Sequence, residues 1–417
     1  MKTRHHLARR ILPACLVAAL LLTLHAAPPA SARLVVVPDV HGAYTELVAL
    51  LQRIRLIDAN LKWAGGSATL VQLGDVIDRG ARSRACLDLL MSLERQAPKA
   101  GGKVIPLLGN HEVMNVMGDL RYVTPEIYRT FATAGSEKKR EQAYRDYLEF
   151  LGAHDGRSHP AIPPADETTR KTWMDQHPPG FVEYREAFGP AGKYGRWIRA
   201  HHTLVEIDGG LFVHGGLDPT VEFGSVRELD DRVSAELTAF DSIWRALVES
   251  KVVWRYMTLA EGVQSAEDEL KWLQAGGKPA APAGDRAALR LLGYQRWMAA
   301  SPDGPLWYRG LAEGPEEGLV DGVKAMLERL QARYIVVGHT VVSKTDVTVR
   351  FGDRVFLLDT GMLEEAFGGR ATALEIRNGQ FTEFHADGSS RILSAPPVRE
   401  TVSAGFAGSG TSVTRQR

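Results

Sequence analysis

Gly74-Asp75-Val76-Ile77-Asp78-Arg79-Gly80 is the stretch that decides how the rest of the chain is interpreted. The apolar residues 68–73 before it predict a buried strand that ends in a turn. In α/β sheets, ligand sites usually lie beyond the carboxyl ends of the strands. This turn places two carboxylates and a guanidinium between glycines, a combination that suits a metal ion or a phosphate group. A polar turn that caps the following helix explains the stretch equally well when it is taken alone.

The same arrangement, a predicted strand followed by a polar turn, recurs along the chain. Asp39 and His41 follow residues 34–37, Asn110 and His111 follow residues 103–108, His214 ends residues 211–214, and His339 follows residues 334–337. Each of these residues alone could be a turn former or a buried, satisfied histidine. The alternation of strands and helices predicts a parallel sheet with crossover helices. Because the ends of such strands share one edge, we expect these side chains to meet there.

The side chains at these turns have the chemistry of a metal site. They offer carboxylate, amide and imidazole ligands without a thiolate, which suits Mn, Fe or Zn ions. Six ligands are too many for one ion with an open position, so they predict two ions about 3.5–4 Å apart, bridged by one carboxylate. A water between two such cations becomes a hydroxide-like nucleophile for phosphorus. With an arginine to neutralise phosphate and a histidine to protonate the leaving oxygen, the pattern predicts phosphoester hydrolysis.

The domain organisation follows from two interruptions of the strand pattern. Residues 119–200 and 226–310 are helical in pattern, and core strands bracket each stretch. We therefore interpret residues 33–393 as one α/β domain with two helical insertions. Residues 394–417 are rich in Ala, Gly, Ser and Thr and predict a disordered tail. Tryptophans of the second insertion and its flank are expected to pack helices onto the sheet, or alternatively to form a stacking surface for an aromatic substrate: Trp244, Trp254, Trp272, Trp297 and Trp307.

Residues 1–32 have the order of a secretory signal peptide. Four basic residues among the first ten precede an apolar run over residues 11–24, and Ala30-Ser31-Ala32 is a small-x-small cleavage sequence. The run is short for a permanent membrane anchor. We expect cleavage after Ala32, export to the periplasm or the medium, and no stable membrane anchor afterwards. Arg9-Arg10 leaves twin-arginine export as an alternative route.

Composition excludes several classes of protein. The chain has 417 residues, of which 44% are hydrophobic and 24% charged, as in ordinary globular proteins. Cleavage after Ala32 would leave 46 basic and 50 acidic residues, without the positive excess expected of a nucleic-acid-binding protein. Cys86 would be the one remaining cysteine, so no intramolecular disulfide could form.

Five motifs in this sequence resemble, in the same order, those of calcineurin-like metallophosphoesterases. They are Pro38-Asp39-Val40-His41-Gly42, Gly74–Gly80, Gly109-Asn110-His111-Glu112, His214-Gly215-Gly216-Leu217 and Gly338-His339. The Asp-Arg-Gly and Asn-His-Glu details resemble the phosphoprotein phosphatase group, and residues 108–115 and 304–309 resemble its Shewanella-like branch. The resemblance implies an α/β fold, a four-layer metallophosphoesterase-type β-sandwich flanked by helices, with two metal ions.

The resemblance also implies a role for each site residue. The metal ligands would be Asp39 and His41 for the first ion, Asp75 as the bridge, and Asn110, His214 and His339 for the second ion. His111 would be the general acid, oriented by Asp78, while Arg79, Asn110 and Arg309 would bind the phosphate. Arg245 and Arg255 are alternatives to Arg309 in the same insertion. Pro38 departs from the pattern of the family, Leu108 stands where eukaryotic members have arginine, and residues 357–361 replace the toxin-binding loop of those members.

Several interpretations of the substrate remain open. The residues themselves predict a phosphoester, and the resemblance adds phosphotyrosine or phosphoserine/threonine in proteins. A phosphodiesterase or a nucleotide phosphatase is the alternative enzyme. A metal-dependent phosphate-binding protein without turnover is the alternative from another class, although binding alone would not require a general acid such as His111.

Overall fold

The structure, a computed structural model, describes residues 33–152, 166–277 and 282–397. The predicted signal peptide, residues 1–32, and residues 398–417 of the predicted tail lie outside the described residues. Residues 394–397 form neither helix nor strand. Within the described ranges, no helix is both long enough and apolar enough to cross a lipid bilayer.

The regular elements alternate at first and then cluster. The strands are β1 (Leu34–Val37), β2 (Thr69–Gln72), β3 (Lys103–Pro106), β4 (Leu204–Ile207), β5 (Gly210–Val213), β6 (Tyr334–Val337), β7 (Thr348–Arg350), β8 (Val355–Leu357), β9 (Thr372–Arg377), β10 (Gln380–His385) and β11 (Ser390–Leu393). The helices are α1 (Tyr44–Arg53), α2 (Ser83–Gln96), α3 (Asn110–Met117), α4 (Pro125–Phe131), α5 (Ser136–Gly152), α6 (Glu167–Gln176), α7 (Phe181–Phe188), α8 (Lys193–Arg199), α9 (Val226–Glu249), α10 (Leu259–Gln274), α11 (Pro282–Leu292), α12 (Gly310–Glu313), α13 (Glu316–Arg329) and α14 (Glu364–Phe367). Short 3-10 helices span Ala97–Ala100 and Tyr294–Arg296.

The strands form two mixed sheets. One has the order β11-β10-β9-β1-β2-β3, and the other has the order β4-β5-β6-β8-β7. Strands β1, β2 and β3 are parallel to one another, as are β5, β6 and β8. Each sheet therefore has three neighbouring parallel strands whose carboxyl ends point the same way. In the first sheet they form one end, with β3 at the edge, and the antiparallel strands β9, β10 and β11 extend the other side. In the second sheet they form the centre, and the antiparallel strands β4 and β7 are the edges.

The two sheets pack face to face through an apolar layer. Val36 and Val71 of the first sheet share this layer with Val336 of the second. Phe381 lies in the same layer, stacked on Phe356 with ring centroids 4.8 Å apart. Such aromatic pairs add about 0.5–1.5 kcal/mol to the burial of the rings themselves. The contact between the sheets thus combines apolar burial with ring stacking.

Helices cover the outer faces of both sheets. Because strand side chains alternate in direction, Val35 and Val37 face away from the neighbouring sheet and join the core that contains Leu50 and Leu90 of helices α1 and α2. At the outer face of the second sheet, Met326 of α13 packs into the same apolar cluster, which extends around both sheets. The order helix, sheet, sheet, helix confirms the predicted α/β sandwich.

The structure adds a strand that the sequence pattern did not reveal. β11 follows β10 through a turn and pairs with it antiparallel, yet Ile392 is exposed and the strand carries little apolar alternation. Arg391 anchors it by donating to Oε2 of the buried Glu383 at 2.7 Å. Oε1 of Glu383 accepts a hydrogen bond from the backbone N–H of Val347 in the loop before β7. An edge strand held by hydrogen bonds and charge leaves no periodic apolar signal.

Most of the helices lie between core strands. Helices α3 to α8 lie between β3 and β4, and helices α9 to α13 lie between β5 and β6. Several begin at side-chain caps: the Ser225 hydroxyl accepts from the Glu228 N–H at the start of α9, and Thr258 and Glu261 form a capping box at the start of α10.

Candidate active site and metal centre

Turns at the carboxyl ends of five parallel strands meet at one edge of the sandwich. In the first sheet, β1 leads to Asp39 and His41, β2 leads to Asp75, and β3 leads to Asn110 at the start of α3; in the second sheet, β5 leads to His214 and β6 leads to His339. All six of these side chains are buried or nearly so, with His339 the most exposed at 9%. The structure thus brings together every residue that the sequence predicts as a metal ligand.

The backbone at these turns is strained. His41, Asp75 and His339 have φ angles of 48°, 55° and 66°, in the left-handed region that side chains rarely adopt. Each such residue costs on the order of 1–3 kcal/mol and persists where neighbouring contacts over-determine it. Two such contacts join the turns, since the N–H groups of Val40 and His41 both donate to the carbonyl oxygen of Asp75 at 2.9 Å. These two hydrogen bonds hold the turns after β1 and β2 together.

Glu112, in the first turn of α3, ties the turns after β2 and β3 together. Its carboxylate accepts the N–H groups of Asp75 at 2.7 Å, Val76 at 2.9 Å and Gly109 at 3.0 Å. Burial, together with the charge of Asp75, raises the pKa of Glu112 to about 7. This residue therefore has a positioning role that explains the glutamate in the Asn-His-Glu motif.

Asp75 lies at the centre of two groups of potential ligands. His41, Asp75 and His111 form one group, and Asp75, His214 and His339 form the other, with the ligand atoms of each group within 4.8 Å of one another. Oδ2 of Asp75 lies 3.5 Å from His41 Nε2 and 3.4 Å from His214 Nε2. A carboxylate placed between two groups of nitrogen ligands has the position of a bridging ligand.

The second group has the spacing expected of ligands to one cation. His214 Nε2 lies 2.9 Å from Asn110 Oδ1 and 3.1 Å from His339 Nδ1. Ligands about 2.1 Å from a shared ion are separated by about 3–3.4 Å. His214 Nδ1 faces the carbonyl oxygen of Leu73 at 3.0 Å, so that, when Nδ1 carries the proton, Nε2 is left as an acceptor. When Nε2 carries no proton, it faces two other acceptors, Asn110 Oδ1 and His339 Nδ1, and the three residues fit a cation between them.

In the first group, His41 and Asp75 lie beside Asp39, the other ligand that the sequence predicts for this ion. His41 is in contact with both carboxylates. Its Nδ1 lies 2.9 Å from the carbonyl oxygen of Ile77, which places the acceptor at Nε2. Nε2 lies 3.8 Å from Oδ2 of Asp39. The other oxygen of Asp39 accepts the N–H of His339 at 3.0 Å, so Asp39 also connects the two sheets. Asp39, His41 and Asp75 can therefore hold a second cation.

The pKa values of these groups indicate that the site needs positive charge. Burial raises the pKa of Asp39, and the neighbouring Asp359 raises it further. Burial lowers the pKa of His214, but Asp75 and Asp39 outweigh that effect and raise it to about 9. Burial alone would raise the pKa of Asp75, but the histidines around it hold it well below its usual value. Buried carboxylates this close together require compensating cations.

His111 belongs to a chain of hydrogen bonds behind the metal ligands. Its Nδ1 lies 2.6 Å from Oδ2 of Asp78. Asn115 donates to both oxygens of Asp78 at 2.9 and 3.0 Å, and Tyr184 donates to Asn115 Oδ1 at 2.5 Å. His111 Nε2 is left facing the cavity beside Asp75, at 3.8 Å from Oδ2. The structure thus places Asp78 where the sequence predicts it, at Nδ1 of His111, the ring nitrogen that faces away from the cavity.

A cavity of about 230 Å³ opens in front of these residues and contains both predicted phosphate-binding arginines. Nη1 of Arg79 donates to His41 Nε2 at 2.6 Å. Metal ligation by that nitrogen requires the guanidinium to turn further into the cavity. Nη1 of Arg309 donates to the carbonyl oxygen of His339 at 3.2 Å and to Thr340 Oγ1 at 2.9 Å. Its alternatives from the sequence, Arg245 and Arg255, line a different cavity.

Sequence reasoning gave no role to Asp359. This residue lies two positions beyond β8, is 4% exposed and lines the same cavity. Burial raises its pKa to about 6. β8 is parallel to β6, so the rule that located His339 also applies to Asp359. Arg121 and Tyr122 line the cavity as well, but they follow α3 in an irregular segment that has no sequence signal.

The family of the chain follows from comparison with known proteins. The calcineurin-like phosphoesterase family matches residues 32–343. The chain belongs to that family, and the protein is a phosphatase-type hydrolase. Shewanella-like protein phosphatase 2 of Arabidopsis thaliana is 26% identical over 375 residues, which cover 88% of this chain and 78% of that protein. Shewanella-like protein phosphatase 1 of Plasmodium berghei is 22% identical over 333 residues, which cover 79% and 67% of the two chains.

A solved structure has a similar fold. It is a cold-active protein tyrosine phosphatase at 24% identity, with a TM-score of 0.52, and the match covers 88% of this chain and 79% of the other. At this level of identity the similarity concerns the fold alone.

Because Asp75 and Asp78 lie at different positions in the site, we expect substitution of Asp75 to impair metal binding and substitution of Asp78 to impair the rate. We expect Asp75→Ala to weaken Mn²⁺ binding by more than about a hundredfold, because residues outside the ligand sphere already contribute roughly 10–100-fold. Asp78→Ala should bind Mn²⁺ like the wild type and lose rate, because Asp78 contacts His111 and no ligand. Calorimetric titration of metal-free protein with Mn²⁺ measures this, with Asp321→Ala, at an exposed position of α13, as the control. Equal Mn²⁺ affinity of Asp75→Ala and wild type would contradict the bridging position.

Proposed function

We propose that the protein is a dinuclear-metal phosphatase that hydrolyses phosphomonoesters, with phosphorylated proteins as its substrates. The observation that supports this most strongly is the pair of ligand groups sharing Asp75, with His111 facing the same cavity. Asp39 and His41 would hold one ion, and Asn110, His214 and His339 the other, with Asp75 between them. The donor set suits Mn, Fe or Zn.

Two such cations, when bound, supply Lewis acidity and an acidified water as the nucleophile. The residues around them orient the substrate. Arg79 and Arg309 are placed to neutralise phosphate oxygens by forked hydrogen bonds, and the amide of Asn110 lines the same cavity. Arg79 is held between the rings of Tyr122 and Phe367, 4.8 and 5.2 Å from their centroids. These two rings keep the guanidinium at the cavity wall.

His111 supplies the proton for the leaving oxygen. Asp78 accepts the Nδ1 hydrogen, which fixes the orientation of the ring and leaves Nε2 directed at the cavity as the proton donor. A phosphate-binding protein without turnover would gain nothing from this buried acid and its support by Asn115. The arrangement therefore favours an enzyme over that alternative.

The proposed protein substrate rests on the relatives. The proteins from Arabidopsis thaliana and Plasmodium berghei are both named Shewanella-like protein phosphatases. Phosphotyrosine and phosphoserine/threonine both fit the chemistry of His111. A phosphodiesterase or nucleotide phosphatase would use the same metals, and it differs in needing room for a second substituent on phosphorus.

Hydrolysis assays separate these alternatives. With Mn²⁺ present, residues 33–417 should hydrolyse p-nitrophenyl phosphate and phosphopeptides at least about tenfold faster than bis-p-nitrophenyl phosphate, measured as kcat/KM. Preference for the diester would replace this proposal with a phosphodiesterase. No hydrolysis of any substrate by protein that demonstrably contains metal would contradict an enzyme altogether.

The role of His111 predicts a dependence on the leaving group. His111→Ala should lower kcat for phenyl phosphate by about 10²–10⁴-fold and for p-nitrophenyl phosphate by much less, because nitrophenolate leaves without a proton. His202→Ala, a change at a largely exposed histidine, should alter neither rate. An equal loss of rate on the two substrates would show that His111 is not the acid.

We also propose that the protein is exported and that residues 1–32 are removed. The support is the sequence of the leader itself: basic residues, an apolar run and Ala30-Ser31-Ala32. The protein recovered from the periplasm or the medium of the expressing bacterium should begin at Arg33, as measured by mass spectrometry of its N-terminal peptide. Exported protein that still carries residues 1–32 would contradict this cleavage.

A further inference from the structure

A second cavity lies on the side of α3 away from the metal ligands. Its volume is about 420 Å³, within the range of cavities that hold small organic ligands. The floor and walls are largely apolar and aromatic, formed by Phe188, Phe240, Trp244 and Tyr256 together with Val116 and Met117 of α3. Phe240 and Trp244 are stacked, with their ring centroids 5.6 Å apart. The walls therefore suit a flat, aromatic ligand body.

The charged groups of this cavity that have no ion-pair partner among the described residues are positive. Arg185, Arg245 and Arg255 line it, and none of the three forms an ion pair with a carboxylate in the part of the chain that the structure describes. The acidic residue that lines it, Asp241, is neutralised by Arg199, whose Nε and Nη2 each donate to one of its oxygens at 2.7 Å. Arg245 and Arg255 are exposed at the rim. An apolar interior with unpaired guanidinium groups is complementary to an aromatic anion.

Arg185 brings positive charge into the interior of the cavity. Its Nη2 donates to the carbonyl oxygen of Met257 at 3.0 Å, while its Nε is buried and has no hydrogen-bond partner. A buried donor without a hydrogen-bond partner destabilises the folded protein. The same guanidinium packs so closely on Gly118, at the end of α3, that a side chain there would meet it. An anion in the cavity would lie against the Arg185 guanidinium and against α3 at the same time.

A single residue, Asn115, separates this cavity from the hydrogen bond between Asp78 and His111. Asn115 lines it and donates to both oxygens of Asp78, which in turn holds His111. The Tyr184 hydroxyl, next to Arg185 in α7, donates to Asn115 as well. A ligand that shifts Arg185 or Asn115 would therefore change how firmly Asp78 holds the imidazole.

We propose that this cavity binds a small aromatic anion, such as an aryl sulfonate, phosphate or carboxylate, and that binding changes the rate of the proton transfer by His111. The effect on rate rests on the proposed phosphatase function, whereas binding does not. Coupling between two sites is a free energy shared by both ligands, and α3 is the element that both sites contact.

The binding test uses 8-anilinonaphthalene-1-sulfonate as the probe and calorimetric titration of residues 33–417. We expect one saturable site, weakened about tenfold or more in Arg245→Gln/Arg255→Gln, which removes both rim charges. The control, Arg129→Gln/Arg227→Gln, removes two exposed charges elsewhere and should bind like the wild type. Arg79→Gln should also bind normally, since Arg79 lies in the other cavity. Unchanged affinity in the rim variant, or loss in Arg79→Gln, would overturn the site.

The coupling test measures hydrolysis at a saturating concentration of the probe. We expect kcat for phenyl phosphate to change about fivefold, and kcat for p-nitrophenyl phosphate to change less, because the effect acts through His111. The rim variant should lose this response at the same probe concentration. Binding with unchanged rates would overturn the coupling. A wild type that hydrolyses no substrate would contradict the proposed function, and the titration alone would still decide whether the cavity is a binding site.

Discussion

The buried carboxylate of Asp75 is the group on which the whole centre depends. Oδ1 accepts the N–H of His111 at 2.9 Å, and Oδ2 lies between His41 and His214. Its backbone carbonyl oxygen accepts two N–H groups from the turn after β1. One residue in a left-handed conformation thus links turns from both sheets. The same position explains why the Gly74–Gly80 turn carries glycines, because a side chain at Gly74 would collide with the backbone of Gly109.

Electrostatic cost explains why such a centre needs cations. Asp39, Asp75 and Asp359 are buried within one small volume, and the desolvation of each carboxylate costs several kcal/mol unless charge compensates it. Histidines compensate in part, as the raised pKa of His214 indicates. The buried carboxylates that are placed to bind metal would therefore repel one another without it. Metal binding and the stability of these turns are therefore expected to be linked.

The fold and the meeting of the predicted metal ligands at one edge could both be predicted from the sequence, because both depend on a simple rule. Parallel strands such as β1 and β6 are short apolar runs, and the polar residue that follows each run must lie at the shared edge. Asp359 obeys the same rule and received no role, since its motif departs from that of eukaryotic relatives. β11 was not predicted because hydrogen bonds and Arg391 hold it, and neither leaves an apolar period. The positions of Arg245 and Arg255 depend on how helices pack, which spacing along the chain does not encode.

The two faces of helix α3 differ in how closely they are packed. On one side Asn110, His111 and Glu112 need fixed positions within the sheet edge, and their hydrogen bonds to the turn after β2 supply that rigidity. On the other side Val116 and Met117 line a cavity with an unsatisfied arginine, where packing is incomplete. Asn115 lies between the two and contacts both. Since packed interiors transmit strain, a helix that is held rigidly on one side and incompletely packed on the other is a physical connection between the second cavity and the pair His111 and Asp78.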